Sequence, residues 1–200
     1  MPKAEHLASR VLTKGKWLQL EEIRYKDEDG KERTWEMCSR TTNPTKDDDD
    51  EAKPDCVATF TVLKRRGQED AFVFVRQYRP CLRRYTLEFP AGLVDAGETA
   101  EAAAVRELKE ETGYAGRVRE VGPLVSLDGG LSNTTVSVVA MEVDGDSAEN
   151  VAACKDEQEG EHTEVLVVPV SQAREKMLEM NKNGDMVDSR VYVYLSTYQC

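Results

Sequence analysis

The chain is poor in positive charge and in histidine. It has 27 Lys and Arg against 38 Asp and Glu, which gives a formal net charge of −11. General nucleic-acid binding is therefore not expected, because a phosphate backbone needs a basic surface. We expect a small substrate, and a phosphate compound would need local counter-charge. With only His6 and His162 in the chain, a carboxylate is the better candidate for any general base.

Paired cysteines and long apolar runs are also missing. The five cysteines are odd in number, widely scattered and without Cys-x-x-Cys spacing, so they predict neither a disulfide framework nor a zinc site. The N-terminus lacks an apolar signal region, and no apolar run approaches the length of a membrane span. We expect a soluble protein of the cytoplasm, with the nucleus as a second location, and no membrane partner.

The most informative segment runs from Gly92 to Tyr114. A glycine-containing loop leads into a stretch from about Thr99 to Thr112 that favours helix, and Gly113 stands where a C′ glycine belongs. The segment predicts one helix behind a glycine loop.

Three glutamates of this helix share one face. Glu107 and Glu111 are four residues apart, and Glu107 and Glu110 three apart. Like charges at that spacing repel, and a cation would relieve the repulsion. Oxygen ligands of this kind prefer Mg²⁺, with Mn²⁺ as a substitute. The alternative is a solvated acidic helix face.

The spacing of the fixed positions favours the metal site. The order is Gly92, five residues, Glu98, seven residues, Arg106-Glu107-Leu108, one residue, Glu110-Glu111, one residue, Gly113. This run resembles the Nudix box in every polar position and both glycines. The one departure is Tyr114, where the box usually has an aliphatic residue.

The resemblance extends beyond the box, from about residue 12 to residue 198, and is to the ADP-sugar pyrophosphatase branch of the Nudix hydrolases. The acidic stretch 46–53 looks like an insertion. The runs that carry it are Gly15-Lys16-Trp17, Arg33-Thr34-Trp35-Glu36, Gln77-Tyr78-Arg79-Pro80, Leu87-Glu88-Phe89-Pro90-Ala91-Gly92 and Gly130-Leu131-Ser132-Asn133.

The expected fold class is α/β (α+β), a Nudix α/β/α sandwich with a mixed sheet, preceded by a small antiparallel N-terminal β domain. We expect an N-terminal β-hairpin domain at 1–45 for dimerisation and adenine stacking, an acidic flexible loop at 46–55 and a Nudix hydrolase domain at 56–200. The pattern of strand-like runs and turns places the hairpin at Trp17–Tyr25 and Thr34–Thr41. Further strands are expected at 56–63, 71–78, 85–89, 118–126, 134–143 and 163–170, and helices at 171–180 and 188–198.

The resemblance implies a metal-dependent hydrolysis of ADP-ribose and related ADP-sugars to AMP and a sugar phosphate. At the positions that match the family's pattern, the resemblance implies that the Ala91 carbonyl, Glu107 and Glu111 would hold Mg²⁺, with Glu110 close by. Arg106 would be a further catalytic residue. Glu161 would be the base and a further metal ligand, with Glu164 as the runner-up.

The resemblance also implies a nucleotide site. Trp17 and Trp35, the only tryptophans, would sandwich adenine across a domain-swapped homodimer, although either alone is more often a core residue. Arg40 and Arg79 would meet phosphate or the terminal ribose. The remaining pocket residues would be Glu36, Leu93 and Asp128.

Two other functions stay open. The box residues act on the diphosphate and do not recognise the nucleobase. The substrate could therefore be an oxidised guanine nucleoside diphosphate, a GDP-sugar or coenzyme A. A non-catalytic ADP-ribose-binding module is the third hypothesis, although all five charged box residues are retained.

Overall fold

The computed structural model describes residues 3–41, 53–152 and 162–197. The chain divides into two compact units, the first made of Met1–Asp55 and Leu124–Val136 and the second of Cys56–Pro123 and Ser137–Cys200. The segment 124–136 joins the first unit because it bonds to the third strand: the Cys38 N–H donates to the Leu131 carbonyl at 2.8 Å.

The first unit contains a three-stranded antiparallel sheet in the order β1-β2-β3. The predicted hairpin is confirmed, and the polar turn after β2 closes it through the Gly30 N–H, which donates to the Asp27 carbonyl at 2.9 Å. The first strand was not predicted from sequence, because all ten of its residues are exposed and its pattern shows no buried face. The strands are β1 (Glu5–Lys14), β2 (Leu18–Lys26) and β3 (Glu32–Arg40).

The second sheet runs in the order β11-β6-β5-β4-β9-β8, with β10 on β5 and β7 on β4. It is mixed, since β11 is parallel to β6 whereas β5 is antiparallel to β4, β6 and β10. The strands are β4 (Cys56–Lys64), β5 (Ala71–Arg79), β6 (Arg84–Glu88), β7 (Ala91–Leu93), β8 (Arg117–Ser126), β9 (Thr135–Asp144), β10 (Thr163–Pro169) and β11 (Met186–Val187).

The helices are α1 (Ala100–Thr112), α2 (Ala148–Val151), α3 (Ala173–Lys182) and α4 (Ser189–Thr197), with a 3₁₀ turn at Val170–Gln172. The predicted helices over the box, 171–180 and 188–198 are confirmed. The short elements α2, β7 and β11 were not predicted, since two to four residues are too few for a periodic pattern. Among the described residues, no helix combines the length and apolar character that crossing a membrane would require.

Strand alternation gives the second sheet two packed faces. Val57 and Leu63 of β4 belong to the buried cluster that includes Ala103, Ala104 and Leu108 of α1. Phe60 lies an odd number of residues from both, so its side chain points to the other face of β4, where it packs on Tyr194 of α4 with ring centroids 4.2 Å apart. Helices therefore cover both faces, as in the predicted α/β/α sandwich.

Candidate active site

Helix α1 begins and ends where its sequence predicts. The Thr99 hydroxyl caps it by accepting from the Ala102 N–H at 3.2 Å. It ends at Gly113, whose φ of 77° is the left-handed conformation that glycine adopts without strain. Its apolar side is buried, so the glutamate-bearing side faces the loop that precedes it.

Arg106 gathers the charged residues of the box. Its Nε–H and Nη2–H donate to the two carboxylate oxygens of Glu98 at 3.0 and 2.9 Å. Its Nη1–H donates to Glu107 at 2.7 Å and to Glu110 at 3.3 Å. The bonds to Glu98 are the main cause that raises the pKa of Arg106, and the guanidinium in turn lowers the pKa of the Glu98 carboxyl.

Arg106 also holds the loop to the helix. Its Nη2–H donates to the Leu93 carbonyl at 2.8 Å. The Asp95 N–H donates to Glu98 at 3.0 Å. Leu93 itself has a side chain that is partly exposed, and its backbone is used for this bond. One arginine therefore fixes the loop in register with the helix face that carries the glutamates.

Glu111 is the most buried carboxylate of the box, with 8% of its surface exposed. The Ala91 N–H donates to its Oε2 at 2.9 Å. The Thr163 hydroxyl donates to its backbone carbonyl at 3.3 Å, which joins β10 to the end of α1. Ala91, Glu111 and the start of β10 therefore meet at one place in the second unit.

The oxygen atoms gathered here are of the kind that bind a divalent cation. They are carboxylate oxygens next to the Ala91 backbone, the hard ligands that Mg²⁺ and Mn²⁺ prefer. In this conformation the described part of the chain brings no three acidic, histidine or cysteine side chains close enough to hold a metal ion. The Arg106 and Ala91 bonds engage the carboxylates instead, and Glu161 lies outside the described residues.

The runner-up base is engaged elsewhere. Glu164 accepts from Arg76 at 3.2 Å, on the strand pair that β10 makes with β5. Strand alternation turns Glu164 to the face opposite Thr163, whose hydroxyl bonds to Glu111. This placement favours other carboxylates for the role of base.

Arg79 is paired with a residue to which sequence reasoning gave no role. Its Nε–H and Nη2–H donate to Glu88 at 2.7 and 2.6 Å. The pair raises the pKa of Arg79, and the nearby charge of Glu111 adds to the rise. Glu88 stands in the run Glu-Phe-Pro-Ala-Gly, which carried the resemblance, and that position was the available signal.

In the first unit, both tryptophans are exposed, Trp17 to 60% and Trp35 to 47%. Exposed indole rings of this size differ from the usual core tryptophan. The Trp35 Nε1–H donates to the Gly130 carbonyl at 3.2 Å. Lys16 lies over the Trp17 ring, with Nζ 4.5 Å from its centroid. Neither ring is used to fill the interior of its unit.

The other predicted nucleotide contacts of this unit are exposed as well. Alternation along β3 places Glu36 and Arg40 on the face opposite Trp35. Asp128 organises the turn beside β3: its carboxylate accepts from the Gly130 N–H at 3.2 Å, and its carbonyl accepts from Leu131 and Ser132. Trp35 and the Asp128 turn are therefore joined through Gly130.

The second unit also has an apolar cavity of about 560 Å³ away from the box. It lies on the sheet face that carries α4, and its lining includes Phe60, Phe89, Val138 and Tyr194. None of the predicted site residues lines it. Cavity size therefore does not mark the site, whereas the charged groups around Arg106 do.

Comparisons with known proteins agree with the box. The Nudix domain family matches residues 53–188. The chain is 39% identical over 193 residues to an ADP-sugar pyrophosphatase of Mus musculus, covering 95% of this chain and 86% of that protein. It is 37% identical over 177 residues to an ADP-ribose pyrophosphatase of Saccharomyces cerevisiae, covering 88% and 74%.

A solved structure of an ADP compounds hydrolase has the same fold. The TM-score is 0.64 at 18% identity, over 97% of this chain and 91% of that one. The family match spans the box, its loop and all strands of the second sheet, β4 to β11. The Arg106-centred cluster thus lies inside the matched domain, and the chain belongs to the Nudix hydrolase family.

Proposed function

We propose that this protein hydrolyses ADP-ribose and related ADP-sugars at the diphosphate, giving AMP and a sugar phosphate, with Mg²⁺ as cofactor and Mn²⁺ as a substitute. Two relatives that match most of its length, at 39% and 37% identity, are named an ADP-sugar pyrophosphatase and an ADP-ribose pyrophosphatase. The charged cluster of the box supplies the physical argument.

The observation that carries the proposal is the sharing of one guanidinium by three carboxylates. Arg106 bonds to Glu98, Glu107 and Glu110, so these four groups together carry two negative charges. A diphosphate would be repelled by such a cluster. A divalent cation between the carboxylates and the diphosphate would remove this repulsion. The carboxylates therefore favour a metal-dependent reaction over simple anion binding.

Each box residue has a proposed part. The Ala91 carbonyl, Glu107 and Glu111 would hold the cation, with Glu110 and Glu161 beside them. When bound, a divalent ion neutralises diphosphate oxygens and lowers the pKa of a bound water. Glu161 would then take the proton of the attacking water. Arg106 keeps the glutamates in place.

Selection of the nucleotide would come from the other predicted residues. Trp17 and Trp35 offer flat apolar surfaces for adenine, which their exposure supports. Arg40 and Arg79 would bind phosphate or the terminal ribose, and Glu36, Leu93 and Asp128 would complete the pocket. We propose a domain-swapped homodimer, in which each hairpin domain serves the partner's site.

The test is a substrate panel with purified protein and Mg²⁺. ADP-ribose, a GDP-sugar, an oxidised guanine nucleoside diphosphate and coenzyme A are compared, with ¹⁸O-labelled water to show which phosphorus is attacked. We expect ADP-ribose to be turned over fastest and AMP to be released. Faster turnover of a guanine substrate would overturn the choice of substrate, and binding without AMP release would support a non-catalytic module.

A further inference from the structure

Arg79 and Glu88 form a two-pronged ion pair between the ends of β5 and β6, with both N–H···O distances below 2.8 Å. The two partners differ in exposure: the side chain of Glu88 is 6% exposed and that of Arg79 is 40% exposed. The carboxylate is therefore the buried anchor, and the guanidinium extends from it to the surface.

The pair leaves donors available on Arg79. A guanidinium has five N–H donors, and within the described part of the chain the bonds to Glu88 use two of them. The fork geometry of those two bonds also fixes the plane of the group. Arg79 is thus held in one orientation while most of its donors are open to an oxygen-rich ligand.

Glu88 itself lies between two arginines. Arg190 is half-buried, which lowers its pKa, but the hydrogen-bonded Asp188 carboxylate and nearby charges that include Glu88 outweigh this and raise the pKa overall. Asp188 is bound to Arg190 through two N–H donors at 2.8 Å. The Asp188 N–H donates to the Leu87 carbonyl at 3.0 Å, which ties this group to β6.

Two hydrogen-bonded ion pairs, Asp188 with Arg190 and Arg79 with Glu88, are therefore near enough for the charge of Glu88 to act on Arg190, and the charge of Glu111 acts on Arg79 in the same way. A buried ion pair adds little net stability, because the cost of removing both charges from water offsets their attraction. In this pair the Glu88 carboxylate is buried and the Arg79 guanidinium is partly exposed. Such an arrangement is better suited to orienting Arg79 for a ligand than to stabilising the fold.

We infer that Glu88 is a positioning residue, which holds the Arg79 guanidinium in one orientation for a phosphate of the substrate. This inference rests on the proposed function, where Arg79 meets phosphate or the terminal ribose. Glu88 acts only through Arg79 and does not touch the substrate. The side chain at position 88 therefore controls KM, and its effect disappears when Arg79 is absent.

The experiment compares E88Q with a matched control. Glutamine keeps the size of Glu88 but loses its charge and one of its two acceptors. The control is D185N. Asp185 accepts two hydrogen bonds from Arg76, at 2.6 and 3.0 Å, and Arg76 lies on β5 as Arg79 does. We expect E88Q to raise KM for ADP-ribose about tenfold with a much smaller change in kcat, and D185N to leave KM unchanged.

The double variant R79A/E88Q separates positioning from general damage. If Glu88 acts through Arg79, E88Q adds no further loss to R79A. Wild-type KM in E88Q, the same KM rise in D185N, or full additivity with R79A would overturn the inference.

Two further measurements cover the remaining cases. If E88Q does not fold, NMR of the guanidinium of Arg79 in the wild-type protein reports rotation about Nε–Cζ: slow rotation with and without AMP supports the inference, and fast rotation overturns it. If the wild-type protein does not hydrolyse ADP-ribose, the proposed function fails. The same variants are then compared on the diphosphate of the panel that is turned over fastest.

Discussion

The carboxylate of Glu107 lies directly against the backbone of Gly92. A Cβ at this glycine would stand 1.9 Å from Oε1 and 2.0 Å from Cδ of Glu107. The close approach explains why the loop needs glycine there, although its φ is ordinary and places no demand of its own. Glycine is therefore required at position 92 because any side chain there would occupy the space of the Glu107 carboxylate.

Gly92→Ala should impair activity more than stability. The colliding group is the end of a flexible side chain, so the fold can adapt, but the Glu107 carboxylate must then leave its position against Gly92. We expect kcat/KM to fall by about 100-fold, the size of effect that misplacing a reacting group produces, with a small change in melting temperature. Steady-state kinetics and thermal melts measure the two effects.

Gly67→Ala is the matched control for that substitution. Gly67 has a φ of 71° and open space where a Cβ would be added. The strain of a left-handed alanine should cost about 1–2 kcal/mol of stability and leave activity intact. If Gly92→Ala behaved like Gly67→Ala, the carboxylate at position 107 would not need its present place.

Glu161→Gln should abolish most turnover if Glu161 is the base. A positioned general base contributes about 10²- to 10⁴-fold, so we expect kcat to fall by that amount while ADP-ribose binding is retained. Glu164→Gln is the control and should keep kcat within about threefold, because Glu164 pairs with Arg76. A Glu161→Gln protein with near wild-type turnover would end the assignment.

Trp35→Ala should weaken nucleotide binding. Base stacking on an aromatic side chain contributes about 1–3 kcal/mol, which corresponds to a rise in KM for ADP-ribose of about 5- to 150-fold. Trp35→Phe keeps a stacking surface but loses the bond to Gly130, and should retain most of the affinity. An unchanged KM in Trp35→Ala would remove the stacking proposal.

The ion pair of Glu98 with Arg106 should make stability depend on pH. Arg106 lowers the pKa of Glu98 below its ordinary value of 4.5 in the folded state. The pair therefore stabilises the fold above pH 4.5, and this contribution is lost as the pH falls through the lowered pKa. Thermal melts of wild type and Glu98→Gln should differ most near neutral pH and converge in acid.

A difference between wild type and Glu98→Gln that stayed constant from pH 7 to pH 3 would contradict this reading. The matched comparison is Glu101→Gln, since Glu101 lies on the same helix and is exposed. That substitution should change the acid dependence little.

The sequence predicted the elements whose pattern extends over many residues. The helix-favouring stretch from about Thr99 to Thr112 and the glycine at 113 were enough to place the box helix. The longer strands of the second sheet were predicted for a similar reason, since runs of apolar and β-branched residues bounded by turn residues extend over many positions. Short elements and the fully exposed β1 leave no such pattern.

Charge partners across strands could not be predicted from sequence. Glu88 follows Arg79 by nine residues, and Arg190 comes from the far end of the chain; only the pairing of β5 with β6 and the start of α4 bring them together. The same is true of Glu164, whose neighbour Arg76 depends on the register of β10 with β5.

The sequence by itself determined the helix, its three glutamates on one face and the family to which the chain belongs, because these depend on spacing within one segment. The tertiary structure decided which groups those charges meet. Arg106 joins Glu98 to Glu107, Ala91 reaches Glu111, and Glu88 holds Arg79, because loops and strand register bring residues together that no local period relates.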